Sequence, residues 1–438
     1  MKARLVPLYF ETGRDQDFDR QVANLGELLL EEAEILNPLP LGAHLPEADA
    51  VVFPQLLGNA YRQAEAIREI QIPRLIITSE FGTMSMWDWE IASYLKSKSI
   101  DTIACPSLEQ TRIVCRALGI KRELKTTKFL VFQDNPGKGF QADIFKRFFW
   151  WEDECTQRIF DKFGISIVKK SYKDLAERAK QISDDQAQKA CAGSQVKAEG
   201  VSQRALWSAL KLYLVLKREL EQDESIRGIG INCLNESHFA DTTPCLAWNL
   251  LYEERGLIWG CEADTVSMLS QYILHKSLGV PVMMSNLYPF LLGQAATKHE
   301  HIPGFPVIHG ADDHILVAHC GYLGVMPVSF STEWTLKPKV LAIVDDNATA
   351  IDARLQTGDL TLAKLDSMIS RFSLSEAELV DYIQYPNSDT LNGAIIRVPD
   401  GRNFVDKLVS HHYVLITGHQ ANNIKKLAKV FDLDVEEI

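Results

Sequence analysis

A chain of 438 residues with 46% hydrophobic content exceeds one ordinary core and carries the apolar material for two or three. Its formal net charge of -12, with Lys and Arg scattered among more numerous acids, argues against the clustered basic face that a nucleic-acid partner requires. The eight cysteines (Cys105, Cys115, Cys155, Cys191, Cys233, Cys245, Cys261 and Cys320) contain no CxxC pair and read as reduced, buried thiols of a cytosolic protein.

The segment from Met1 to Pro7 lacks the long apolar stretch of a signal peptide, and no stretch is long enough to span a bilayer, so the expected setting is soluble and cytoplasmic. From Leu5 to about Leu118, short apolar runs (Leu5 to Phe10, Ala50 to Phe53, Arg74 to Thr78, Thr102 to Cys105) alternate with helical patterns, which predicts a parallel sheet covered by helices. The basic patch from Lys121 to Lys128 reads as a linker into a second domain. That domain begins with the strand Phe129 to Phe132, the turn-rich 134–139, a helix through Phe163 and the strand Ile165 to Val168, one βαβ unit. The pair Gly137 and Gly139 fits neither the dinucleotide nor the P-loop spacing and is read as a plain turn. A long helix ends at Glu221, with Ala205, Ala209, Leu212 and Val215 on one side. Two apolar strands, Leu257 to Gly260 and Val280 to Met284, then flank a helix bearing Val266, Leu269 and Ile273, which puts Glu262 at the carboxyl end of a strand, where open parallel sheets bind ligands. Beyond Pro327, short segments such as Val340 to Val344, Leu360 to Ala363 and Ala394 to Val398 predict a small β-rich, barrel-like domain, and a helical face of Ala421, Ile424, Leu427, Ala428 and Phe431 follows. The expected architecture is α/β: two Rossmann-like parallel-sheet domains over 1–124 and 125–326, and a C-terminal β-rich domain over 327–438.

The densest group of polar residues among apolar strands is Asn232, Asn235, Glu236, His238, Asp241, Glu262 and Asp264. Buried carboxylates need a counter-charge, hydrogen bonds or a metal. Asp241 and Asp264 read equally well as caps of the helices that follow them. Glu262, at the end of an apolar strand, has no such structural explanation. His411 and His412 enter the apolar run Val414 to Ile416, and paired histidines at a strand start suit either a metal ligand or a hydrogen-bonded boundary. His319 is equally ambiguous, and His299, His301 and His309 lie in an expected loop.

The run Trp259-Gly260-Cys261-Glu262-Ala263-Asp264, with its helix and the strand to Ser285-Asn286, resembles the metal-site segment of L-fucose isomerases, which carries an E-x-D motif. The run from Ser410 through His411, His412 and Tyr413 to His419 resembles the segment that supplies the metal-binding histidine in that family, and L-arabinose isomerases have a similar paired-His motif. The resemblance implies that Glu262 is a metal-ligating, proton-shuttling carboxylate and His412 an imidazole ligand. At Asn286 it implies a second metal-binding catalytic aspartate, which this chain replaces with an amide that can offer an oxygen but cannot take a proton. Glu236, Asp264 or a metal-bound water are the candidates for the vacated acid/base role.

The implied activity is metal-dependent aldose–ketose isomerisation of a free pentose or deoxyhexose through an enediol, with Mn²⁺, or Mg²⁺, as cofactor. The alternatives are a non-catalytic sugar-binding protein on the same fold and another metal-assisted proton-transfer enzyme acting on a polyol or sugar acid. A homo-oligomer, trimer or hexamer, follows from the resemblance, with no nucleic-acid or membrane partner. Trp87, Trp89, Trp150 and Trp151 read as core or as sugar-stacking surfaces.

Overall fold

The computed structural model describes residues 1–10, 14–55, 58–80, 86–134, 147–194, 196–296, 307–319, 328–338, 347–384 and 393–438. The chain divides into two compact units, one of 1–125 with 276–279 and 422–433, the other of 126–275, 280–421 and 434–438. The 326/327 boundary expected from sequence falls outside the described residues, and the terminal helix groups with the first unit rather than with the β-rich segment.

In the first unit the strands Ala33–Ile35, Ala3–Tyr9, Ala50–Phe53, Arg74–Ile76 and Ile103–Ala104 lie side by side in that order, all parallel, and Leu39–Pro40 also pairs with Ala3–Tyr9. Their apolar runs are buried because helices cover the sheet. The helix Gln16–Leu28 starts where the Asp15 carboxylate accepts the Phe18 N–H, and it turns Phe18, Gln21 and Leu25 inward at i, i+3 and i+7. Ser107 caps Leu108–Glu123 in the same way. The basic patch read as a linker is in part the last turn of this helix, where Lys121 and Arg122 complement the carbonyl end of its dipole. Lys121 also donates to the Val430 carbonyl and pairs with Asp432 of the terminal helical segment.

Among its described residues the second unit holds a two-stranded ribbon, Glu333–Pro338 with Thr349–Arg354, and two larger sheets. Its parallel sheet has the order Ile258–Cys261, Ile226–Ile231, Lys128–Phe132, Ser166–Lys170, and the helix Asp153–Phe163 precedes the last strand, as expected of a βαβ unit. The turn at 135–139 lies outside the described residues. The other sheet is a closed antiparallel ring of six strands: Gly358–Leu365, His412–Thr417, Val282–Pro289, His314–Ala318, Gly393–Arg397 and Arg371–Ile383, the last pairing back to the first. Arg371–Ile383 serves both neighbours by bending at a register shift between Leu379 and Asp381, as bulged strands do in small barrels. Asp434–Glu437 adds in parallel to its first residues.

The mixed α/β class with a barrel-like sheet was therefore legible, but one strand was misplaced. The strand expected at Val280 to Met284, read as the second strand of a parallel strand–helix–strand unit, is Val282–Pro289 and runs antiparallel inside the ring. Nearly every residue in it is buried, so it lacks the alternation that marks an antiparallel strand with one wet face. The Val340 to Val344 strand lies outside the described residues. Among the described residues no helix is long and apolar enough to cross a membrane.

The helix Thr265–Leu278 joins the parallel sheet of this unit to its barrel-like ring. It buries Val266, Met268, Leu269, Tyr272 and Ile273, and its polar residues reach backbone on either side: Gln271 Nε2 donates to the Trp259 carbonyl, and Ser270 Oγ accepts the Leu365 N–H. A helix buried on all faces in this way fixes the register of the Glu262 strand against the barrel.

Candidate metal centre

Glu262 and Ala263 follow the Ile258–Cys261 strand with φ of 53° and 52°, two consecutive non-glycine residues in the left-handed region. Such a conformation costs on the order of 1–2 kcal/mol per residue and persists only where its surroundings over-determine it. Here they do. The Glu262 carbonyl accepts two indole N–H groups, from Trp150 at 3.1 Å and Trp151 at 2.6 Å, while Ala263 N donates to Ile231 O and Asp264 N to Cys261 O. Gly230 lets the turn press down, since a Cβ there would lie 3.2 Å from Ala263 Cα. Trp150 and Trp151 are buried and clamp this turn, and the Trp150 ring also stands beside His411 and His412. Trp89 is largely exposed.

Asp264 serves both as cap and as part of the site. Its Oδ1 accepts the Ser267 N–H at the start of the helix; its Oδ2 accepts from Ser267 Oγ, from Lys364 Nζ at 2.9 Å and from His412 Nδ1 at 2.9 Å. Lys364 also donates to Ser267 Oγ. Both ends of the Asp264–Lys364 pair are sealed from solvent. Burial alone raises the Asp264 carboxyl, but Lys364 and His412 outweigh it and hold the group well below the ordinary carboxylate range. Burial lowers the Lys364 ammonium, and Asp264 opposes that shift.

An ionised carboxylate only accepts, so His412 carries its proton on Nδ1 and turns the lone pair of Nε2 towards Glu262, 3.7 Å from Oε2. Burial and the neighbouring His411 bring the imidazole down to about 4, against the opposing pull of Asp264 and Glu262, so the ring is neutral at physiological pH. Carboxylate-oriented neutral histidine is the usual form of an imidazole metal ligand. His411 Nε2 also lies 3.7 Å from Glu262 Oε2, and ligand atoms of Glu262, His411 and His412 all fall within 4.8 Å of one another. This buried carboxylate with two imidazoles could hold a metal ion. Phe148 and Trp150 flank the His411 ring, with centroids 6.0 and 6.1 Å away.

Asn286 faces His412 directly across the antiparallel ladder, a pairing that puts side chains about 4.5–5.5 Å apart at Cβ on one face. Its Oδ1 is buried and has no hydrogen-bond partner among the described residues, which suits a further oxygen donor. The structure therefore gathers Glu262, His412, Asp264 and, across the ladder, Asn286. It does not bring Glu236 into the three-residue cluster: that buried carboxylate stands beyond the neighbouring strand and accepts the Asp134 N–H. Asp241 does not cap the helix that follows it, because Cys245–Arg255 begins behind Pro244; it closes the short turn Ser237–Ala240 in the left-handed region and faces Arg204. His319 packs edge-on against Trp259, His238 lies against Phe239, and His309 is exposed. His299 and His301 lie outside the described residues, as does the side chain of Asn235.

Sequence reasoning noted the His411–His412 pair but expected only the second as a ligand, and it missed Lys364. An isolated lysine in an alternating strand carries no signal that it points inward at a carboxylate 100 residues away.

Searched against models of known protein families the sequence matches none, and no curated protein matches it.

Proposed function

We propose that this chain is a divalent-metal-dependent aldose–ketose isomerase on a fucose and arabinose isomerase-like fold, acting on a free pentose or deoxyhexose. The observation that carries the reading is the Glu262–His411–His412 cluster, at the carboxyl end of a parallel strand and the start of a barrel strand. The order of motifs along the chain and the α/β-plus-barrel class support the same family. When bound, the cation would supply a Lewis acid for the sugar's carbonyl and neighbouring hydroxyl oxygens. One carboxylate and two imidazoles, with Asn286 as an oxygen donor, make a less oxygen-rich set than the resemblance implied, so Zn²⁺ or Fe²⁺ stands beside Mn²⁺ and Mg²⁺.

Proton traffic falls to Glu262. Asp264 is saturated by Lys364, Ser267 and His412, and Asn286 cannot take a proton, so neither replaces the aspartate that the resemblance expects. A single carboxylate on one face of the sugar can lift the proton from C2 and return it to C1, and the hydroxyl proton that must also pass from O2 to O1 is left to solvent water or to the same carboxylate in turn. Asp264 orients His412, and the indoles of Trp150 and Trp151 fix the backbone that presents Glu262. Phe148 and Trp150 stack on each other and wall one side of the cluster, while His411 faces solvent.

Asn286 and the occupied Asp264 also favour a second reading, a sugar-binding protein that retained the fold. The deciding measurement is metal content followed by manganese-dependent exchange of deuterium from solvent into an aldose panel. Exchange lost in Glu262→Gln and in His412→Ala supports the isomerase. Metal-free protein with no exchange, yet stabilised to heat by a sugar, supports the binder. In the isomerase reading the protein is cytoplasmic and a homo-oligomer.

A further inference from the structure

Cys233 opens the short helix Cys233–Glu236 after one parallel strand, and Cys261 closes the neighbouring strand, in register with Ile231. Their Sγ atoms are 2.9 Å apart, and the two residues are only 6% and 4% exposed. A disulfide brings its sulfurs to about 2.05 Å, so closure needs an approach of only about 0.9 Å. The two sulfurs already touch across adjoining elements, so no chain segment has to unfold to bring them together.

Cys261 is also the residue before Glu262. Its carbonyl accepts the Asp264 N–H, and it sits inside the left-handed turn whose next carbonyl is held by Trp150 and Trp151. A close-packed turn has little slack, so a displacement of Cys261 passes to its neighbour rather than being absorbed.

We propose that Cys233 and Cys261 form a reversible redox pair, a thiol modification site whose disulfide form withdraws Glu262 from His411 and His412. The oxidant class is a peroxide. One sulfur attacks a peroxide oxygen, the O–O bond breaks, and a sulfenic acid and one water form. The second sulfur then attacks the first, the S–O bond breaks, and the S–S bond forms with loss of a second water. Two electrons pass from the sulfurs to hydrogen peroxide, and a dithiol reductant reverses the change. Formation of the disulfide is independent of the metal reading, whereas its effect on ligand geometry rests on that reading.

The test uses the full chain, reduced, freed of metal and exposed to hydrogen peroxide. The expected result is a mass loss of about 2 Da, a peptide linking Cys233 to Cys261, and manganese affinity by calorimetry weakened about tenfold and restored by dithiothreitol. Cys233→Ser, with Cys233→Ala as a second variant of unchanged near-UV dichroism, should abolish the link and leave manganese affinity insensitive to peroxide. Over-oxidised thiols without that link overturn the pair. A mapped link with unchanged affinity overturns the coupling to Glu262. If the reduced chain binds no divalent ion, the metal reading fails, and the peptide map still decides the pair.

Discussion

Replacing Lys364 with methionine keeps an unbranched apolar stem one atom shorter and removes its charge, leaving the Asp264 carboxylate sealed in the interior with Ser267 and His412 alone. The Nζ–Oδ2 separation of 2.9 Å corresponds to an attraction of about 6 kcal/mol at an effective dielectric of about 20. The desolvation of lysine is recovered in the variant, and that of the aspartate is not. Breaking one side of such a buried pair costs about 3–5 kcal/mol, a large share of the roughly 5–15 kcal/mol that holds an ordinary fold. Urea unfolding of the metal-free protein at pH 7.5, followed by far-UV dichroism, measures the loss. The double change Lys364→Met with Asp264→Asn should recover at least half of it, because a neutral amide needs no counter-charge and can still accept from His412 Nδ1. A loss below about 1 kcal/mol for the single variant, or a double variant no better than the single, would refute the claim that Lys364 neutralises Asp264.

Three further outcomes follow from the same geometry. His412 is lowered to about 4 in the fold against about 6.5 in the unfolded chain, so between those values the unfolded state binds the proton more tightly; the associated stability is intact above about 6.5 and falls by about 3 kcal/mol as pH drops to 4 in the metal-free protein. His412→Asn should flatten that slope, and identical slopes would sink the assignment. Trp150→Phe and Trp151→Phe each remove one donor to the Glu262 carbonyl and should cost about 1 kcal/mol while weakening divalent-ion binding in calorimetry; unchanged binding in both would show that the clamp does not set the ligand. Gly230→Ala puts a methyl 3.2 Å from Ala263 Cα and 3.0 Å from Met268 Sδ, so a loss of about 1–3 kcal/mol is expected with weaker metal binding, and a neutral result would mean that the turn is softer than described.

What the sequence disclosed and what it hid divide along a physical line. Parallel strands such as Ala50–Phe53 and Lys128–Phe132 were readable because burial on both faces leaves an uninterrupted apolar run. The same rule misassigned Val282–Pro289, since closure of the barrel buries an antiparallel strand just as fully. Glu262 stood out because a carboxylate in an apolar strand end is costly without a partner. Its partners were invisible: Trp150 lies 112 residues away, and His412 meets Asp264 across 148. Local periodicity carries no information on contacts made by ring closure, and even the E-x-D spacing could not show that Asp264 would be spent on Lys364.

The first unit includes residues 422–433, whose helix Ala421–Val430 contributes Lys426 to the Ala104 carbonyl and receives Lys121 at Val430. During synthesis, at roughly 5–20 residues per second, an N-terminal unit ordinarily folds before the rest of its chain leaves the ribosome. Here more than three hundred residues separate Lys121 from Asp432. The contacts of Lys121 and Lys426 can therefore close only after nearly all of the second unit has been translated, and nascent chains arrested before residue 422 are expected to lack them and to aggregate more readily.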